Sequence, residues 1–356
     1  MGRTATILPV LLATLALGAG CVHRPGGATL EDSMTPVATR PQGMRAFEPF
    51  MDGRWIGNAA AYGPHRDGQA PGGPDPTRAE LLEDLRIIAR HWNLIRVYGT
   101  LGPTPDMLAL IREERLPIRV MLGVWLAPED RRDSSGAALE TLPGAIRANR
   151  DQVEAGIRLA REYEDVVVAV CAGNETQVFW SAHRFPSQQL IRDVRALRTA
   201  VQQPVTTADD YNFWNRPESR AVAAEIDFIT MHAHPLWNGK RLAEALDWTA
   251  ATVASIRDFH PGRTVVLGET GWATRVHDEG EQARLIRGEA GEAGQREFHA
   301  ALMAWAGSTR TTTFFFEVFD ENWKGGPHPN EVEKHWGLYR ADRTPKAALA
   351  GETWPR

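Results

Sequence analysis

Two glutamates close apolar, β-rich stretches of the chain. The run VVVAVCAGNE ends in Asn174 and Glu175, and TVVLGETGW carries Glu269 just ahead of Trp272. A pair of carboxyl groups can break a glycosidic bond when one is neutral and protonates the departing oxygen. The other must be ionised, so that it attacks the anomeric carbon or activates a water. Their separation decides the outcome: about 5 to 5.5 Å gives a covalent intermediate and retention, whereas about 6.5 to 9.5 Å leaves room for an inverting water. Taken singly, each Glu reads as a salt-bridging residue at a strand end. Together, beside Asn174 and Trp272, they read as catalysis.

Other side chains offer supporting chemistry with a structural reading beside it. In IRVYGT, Arg96 and Tyr98 are two apart and so point to one side of a strand, where Arg96 can supply a cation to a carboxylate or form a purely structural ion pair. FFFEVFDENWK clusters Glu317, Asp320, Glu321 and Lys324 with Phe319 and Trp323, and a Lys324–Glu321 ion pair that only holds the loop is one way to read it. Trp272, Trp323 and Trp336 have flat faces suited to stacking on sugar rings or to ordinary core packing. The HxH spacing of His232 and His234 in MHAHPLW invites a metal, but further ligands would be needed, and Asp209 and Asp210 read first as turn residues, so no metal is expected. Cys171 sits in an apolar run and reads as a small buried hydrophobe. No P-loop, GxSxG or paired CxxC occurs, which leaves phosphoryl transfer, serine hydrolysis and structural zinc without support.

Positioning these groups requires a scaffold, and the chain alternates short apolar runs with amphipathic segments. The strand candidates are 55–61, 94–98, 118–124, 166–172, 205–208, 228–232, 265–269 and 313–318. Helix patterns lie between them, among others over 78–91, 145–163, 187–201, 241–259 and 294–306, with Thr77, Thr104 and Ser187 as N-cap candidates. Eight such alternations predict a single (β/α)8 barrel, a TIM barrel whose reacting groups gather where strands end and loops begin. The missing GxGxxG after the first strand argues against a dinucleotide-binding sheet.

Composition agrees with one large globular domain: 356 residues, 43% hydrophobic and 24% charged. A net charge of −5 provides no strong positive field, so nucleic acid is not an expected partner. Residues 1–20 read as an export signal, because the apolar run from Ile7 to Ala19 is shorter than the roughly 20 residues a membrane-spanning helix needs and contains Pro9. Cys21 after Gly18, Ala19 and Gly20 resembles a bacterial lipobox, with Leu17 one place further upstream than that pattern prefers. The expectation is a lipid on Cys21, with plain signal cleavage as the alternative, a flexible tether over 21–46 rich in Pro, Gly, Thr and Arg, and a folded domain over 47–356 held at a membrane of the bacterial cell envelope. With Cys21 lipidated, Cys171 would be the sole remaining thiol, so no intramolecular disulfide is expected.

These motifs, in this order, resemble glycoside hydrolase family 17, a group of retaining (β/α)8 glycosidases. The likeness runs from Phe47 to the C terminus through AYGPHRDGQAP, IRVYGT, AGNE, MHAHPLW, GETGW, FFFEVFDENWK and EKHWGLY. It implies Glu175 as general acid/base and Glu269 as nucleophile, with β-1,3-glucan as substrate class, no cofactor and a monomeric enzyme. It further implies that Asn174 donates to the 2-hydroxyl, that Tyr98 lies near the nucleophile, that His234 shapes the cleft without metal, and that Glu321 and Lys324 bind sugar hydroxyls, with Trp272 and Trp323 as further substrate contacts. Hydrolysis and transglycosylation would use the same residues and differ in the acceptor. A glycan-binding lipoprotein that has lost turnover is the alternative of another class.

Overall fold

The computed structural model describes residues 43–350. Residues 1–20, expected as an export signal, and Cys21 lie outside the described residues, as do most of residues 21–46, expected as a tether. Eight strands form a closed barrel in sequence order, every adjacent pair parallel: β1 Asn58–Ala61, β2 Leu94–Arg96, β3 Arg119–Val124, β4 Val167–Asn174, β5 Val205–Asp210, β6 Ile229–His232, β7 Val265–Thr270 and β8 Thr313–Phe315. This is the (β/α)8 fold the alternation predicts. The long helices are α1 Arg78–Ile88, α2 Thr104–Glu113, α3 Pro143–Glu162, α4 Ser187–Ala200, α5 Leu242–Phe259 and α6 Glu292–Thr309. Between β5 and β6 two short helices, Tyr211–Trp214 and Ser219–Ala223, stand where one long helix would be usual. Among the described residues no helix is long and apolar enough to cross a membrane.

Parallel strands buried on both faces need two apolar layers. Outward-facing side chains such as Val120, Leu122, Val170 and Ala172 pack under the helices, with Leu85, Leu159, Leu197 and Leu302 among the residues that meet them. Inside the barrel a smaller cluster joins Ala59, Leu94, Met121, Ala169, Cys171, Ala208, Phe228, Val266 and Phe314. Cys171 is therefore a core residue. Phe47 stacks on Phe228 with ring centroids 4.5 Å apart and closes the lower mouth, and the antiparallel pair Phe50–Met51 with Arg54–Trp55 follows it. Residues 55–57, expected in the first strand, thus belong partly to this plug. Packing begins slightly before Phe47, since Arg45 bonds Asp227 through its backbone N at 2.9 Å and its Nε at 3.0 Å.

Local chemistry explains most helix starts. Thr77 caps α1 in a capping box with Glu80, as its position suggests. Thr104 and Ser187 are instead the first helical residues behind Pro103 and Pro186, and the Thr104 hydroxyl donates to the Gly99 carbonyl at 2.8 Å. Between β3 and α3 the chain inserts a hairpin, Asp130–Arg132 with Ala138–Thr141, on the rim where strands end.

Candidate active site

The ends of β2, β4, β6 and β7 converge on one cleft. Leu94, Arg96 and Tyr98 alternate inward, so Leu94 joins the inner core while the next two reach the rim. Gly123 on neighbouring β3 allows this approach: a Cβ there would stand 2.2 Å from the Val97 carbonyl oxygen. Arg96, only 1% exposed, donates from Nη1 to Glu269 Oε1 at 2.5 Å and from Nη2 to Asn174 Oδ1 at 2.6 Å. The Tyr98 hydroxyl donates to the same Glu269 oxygen at 2.9 Å, and His234 Nε2 lies 3.5 Å from the other. Because a guanidinium can only donate, Arg96 fixes the Asn174 amide oxygen toward itself and leaves the amide NH2 to other acceptors.

Burial alone would raise the Glu269 carboxyl. His232, the His234 hydrogen bond and the Arg96 guanidinium outweigh it and hold Glu269 well below the ordinary carboxylate range. Glu269 is therefore held as the anion. Tyr98 is shifted upward, first by burial and then by the Glu269 charge, and stays a neutral donor.

Glu175 leaves β4 in a left-handed backbone conformation, with φ of 50° after Gly173 at 74°. That region costs a non-glycine residue roughly 1–2 kcal/mol, so the surroundings must impose it. They do: the Glu175 amide bonds the Ala208 carbonyl at 2.9 Å, and the buried Asp209 carboxylate accepts from the amides of Gln177 at 2.7 Å and Val178 at 3.1 Å. Asp209 is thus the brace of the loop after Glu175, while Asp210 caps the short helix after β5 by accepting from the Asn212 amide at 2.8 Å. The Glu175 carboxyl is pushed well above its usual value by burial and then by the negative charges of Glu269 and Asp210. It stands protonated opposite an ionised partner.

One oxygen of Glu175, one oxygen of Glu269 and a ring nitrogen of His232 all lie within 4.8 Å of one another. An oxygen-to-oxygen approach this close fits the retaining arrangement, in which the two carboxyl groups stand about 5 to 5.5 Å apart. His232 spans the gap, with Nδ1 2.9 Å from Glu175 Oε1 and Nε2 3.5 Å from Glu269 Oε1. Burial lowers its pKa to about 3, so it is neutral and carries one proton. Placed on Nε2, that proton faces the Glu269 anion and leaves Nδ1 to accept from the protonated Glu175. Two residues on, His234 is shifted upward: burial opposes its charge, but the hydrogen bond to Glu269 and the Glu269 charge favour it. Among the described residues Glu175, His232 and Glu269 are the one trio close enough to share a metal ion. The cation that Glu269 requires is already provided by Arg96.

Several sequence-based candidates take other places. Trp272 is fully buried, its ring 5.8 Å from Phe298 and its Nε1 donating to the Glu289 carbonyl, so it walls the core and offers no face to a sugar. Trp336 is 1% exposed and packs against His234 and Phe316. Glu321, also 1% exposed, accepts from Lys324 Nζ at 2.7 Å and Trp323 Nε1 at 3.0 Å; Lys324 also reaches Glu317 at 2.6 Å. The contact with sugar hydroxyls expected of Glu321 therefore gives way to the loop-holding ion pair. Lys324 and Trp323 keep partial exposure. Glu333, which accepts from Trp237 Nε1 at 2.9 Å, joins the cleft with no sequence signal of its own.

Residues 59–337 match the BtgE/BtgC glycoside hydrolase domain. A glucan 1,3-beta-glucosidase of Arthroderma benhamiae is 27% identical over 289 residues, spanning 78% of this chain and 86% of that protein. An endo-laminarinase from Formosa Hel1_33_131 superposes with a TM-score of 0.69 at 22% identity, covering 83% of this chain and 87% of the other. A glycoside hydrolase family 17 beta-1,3-glucanosyltransferase from Rhizomucor miehei gives 0.64 at 20% identity, covering 82% and 96%.

Proposed function

Since the chain belongs to the BtgE/BtgC glycoside hydrolase family, we propose that it acts on β-1,3-glucan by retaining double displacement, with Glu269 as nucleophile and Glu175 as acid/base. The observation that carries this reading is the closeness of two carboxyl groups, an oxygen of one within 4.8 Å of an oxygen of the other, whose surroundings drive them to opposite protonation states. Glu175 protonates the glycosidic oxygen as Glu269 bonds to the anomeric carbon. Glu175, now ionised, then takes a proton from the acceptor as that acceptor displaces Glu269. Water as acceptor gives hydrolysis, and a sugar hydroxyl gives transfer. Asn174, its side-chain Oδ1 tied to Arg96, presents its NH2 to the 2-hydroxyl, a contact that tightens as charge develops on the ring. β-1,3-Glucan as substrate rests on the motif resemblance and on the names of the similar proteins.

Incubation with laminari-oligosaccharides, followed by NMR of the first anomer formed and sizing of the products, tests this. Newly formed β-anomers with chains shortened or lengthened are expected. α-Anomers would contradict the mechanism, and bound but unchanged chains would support the non-catalytic alternative, which two intact and oppositely tuned carboxyls disfavour.

We also propose export with a lipid on Cys21, on the sequence pattern of residues 1–21. Incorporation of labelled palmitate that is lost in Cys21→Ser is the expected result; equal labelling of both would contradict it.

A further inference from the structure

Glu175 gives its proton to the leaving oxygen, so the departing sugar, and later the acceptor, must occupy the Glu175 side of the cleft. On that side stands an indole that the chemistry above does not use. Trp125 directly follows β3, whose Val124 pairs with Ala172 of β4, and it is 36% exposed. Its ring lies 5.2 Å from that of His183 at an interplanar angle of 39°. His183 Nε2 is 2.7 Å from the carbonyl oxygen of Asn174, the residue before Glu175. A carbonyl only accepts, so Nε2 holds the proton, and burial keeps the ring neutral. On the other flank a Cβ on Gly99 would come 4.0 Å from the Trp125 Cβ. The indole is thus wedged between the backbone that follows Tyr98 and the ring bonded to the backbone that precedes Glu175.

We propose that Trp125, backed by His183, is the stacking platform for a glucose unit on the leaving-group and acceptor side, and that it sets how the glycosyl-enzyme divides between water and sugar. A large aromatic left partly in solvent is poorly used as core, whereas its flat face matches the C–H-lined face of a β-linked glucose. Phe179 and Trp180, 49% and 41% exposed, follow Glu175 by four and five residues on the loop after β4. In the transfer step the Glu269–C1 ester bond breaks, the bond from C1 to the acceptor oxygen forms, and the acceptor proton passes to Glu175. Trp125 acts by holding the acceptor for that step while water competes.

This inference rests on the two-carboxylate reading, and the test separates the two. With β-laminaribiosyl fluoride as donor the leaving group is fluoride, which needs no stacking platform, and laminaribiose is added as acceptor. Wild-type enzyme should release fluoride and divert an increasing share of product to transfer as laminaribiose rises. In Trp125→Ala the laminaribiose concentration giving half-maximal transfer should rise about tenfold, and Trp125→Phe should recover much of the difference. An unchanged acceptor dependence in Trp125→Ala would overturn the platform while leaving the mechanism standing. No fluoride release by the wild type would overturn both. The substitution lies on the surface, so the variant should fold.

Discussion

Glu175 and Glu269 are the same side chain, both drawn largely out of water at strand ends of one barrel, with 19% and 7% of their side chains exposed. Their environments nevertheless differ in kind. Around Glu269 stand a fixed guanidinium, a phenol and a histidine that gains charge from it. Around Glu175 the close partner is a neutral ring, and the remaining charges nearest to it include the carboxylates of Glu269 and Asp210. Desolvation acts on both, so burial does not separate acid from nucleophile; the donors do. An anion is stable in a low-dielectric cleft where cations and N–H groups face it, and a neutral acid results where they do not.

Removing one member of this contrast should have the largest effect. Glu269→Gln should lower turnover on laminari-oligosaccharides by at least about a thousandfold, measured as reducing ends released under saturating substrate. Glu175→Gln should lose about 10²–10⁴-fold on the natural substrate, in line with general acid catalysis, but far less in the first half-reaction with a fluoride donor that needs no protonation. The pH profile sharpens the comparison. Activity requires Glu175 protonated and Glu269 ionised, so it should fall as pH rises through the elevated Glu175 pKa and fall again as pH drops toward the depressed Glu269 pKa. With the fluoride donor, the first half-reaction of Glu175→Gln should lack the alkaline decline; a decline that persists there would assign it to another group.

Smaller changes probe the donors around Glu269. Arg96→Lys keeps a cation but loses the second donor that holds Asn174, so kcat should drop by about tenfold or more, with KM less affected. Tyr98→Phe removes one hydrogen bond to the anion, worth about 1.5 kcal/mol, which corresponds to about one pH unit. Its acidic limb should move upward by that amount, and an unmoved limb would show that Tyr98 only packs.

The barrel was legible because its strands are continuous apolar runs and because the rim rule selects residues at their ends. Asn174, Glu175 and Glu269 emerge from that rule, and the period of two carries Arg96 to the rim with Tyr98. What escaped depended on distances along the chain that no period encodes. Asp209 reads as a turn residue until β5 is laid beside β4, where its carboxylate meets the amides after Glu175. Trp272 lies three residues beyond Glu269, but the chain turns there and sends the indole into the core. His183 sits in a loop eight residues past Glu175, and only the fold of that loop brings its ring to the Asn174 carbonyl. The Lys324–Glu321 pair was visible as one of two readings, and burial decided for the loop.

The division of labour between the two acids is tested most directly by trapping. A 2-deoxy-2-fluoro-β-laminaribiosyl donor with a good leaving group slows both steps, and the first less than the second, so the intermediate accumulates. Intact mass followed by peptide mapping should find one sugar adduct per chain, on Glu269. An adduct on Glu175, or rapid turnover to an inverted product with no adduct, would contradict the assignment.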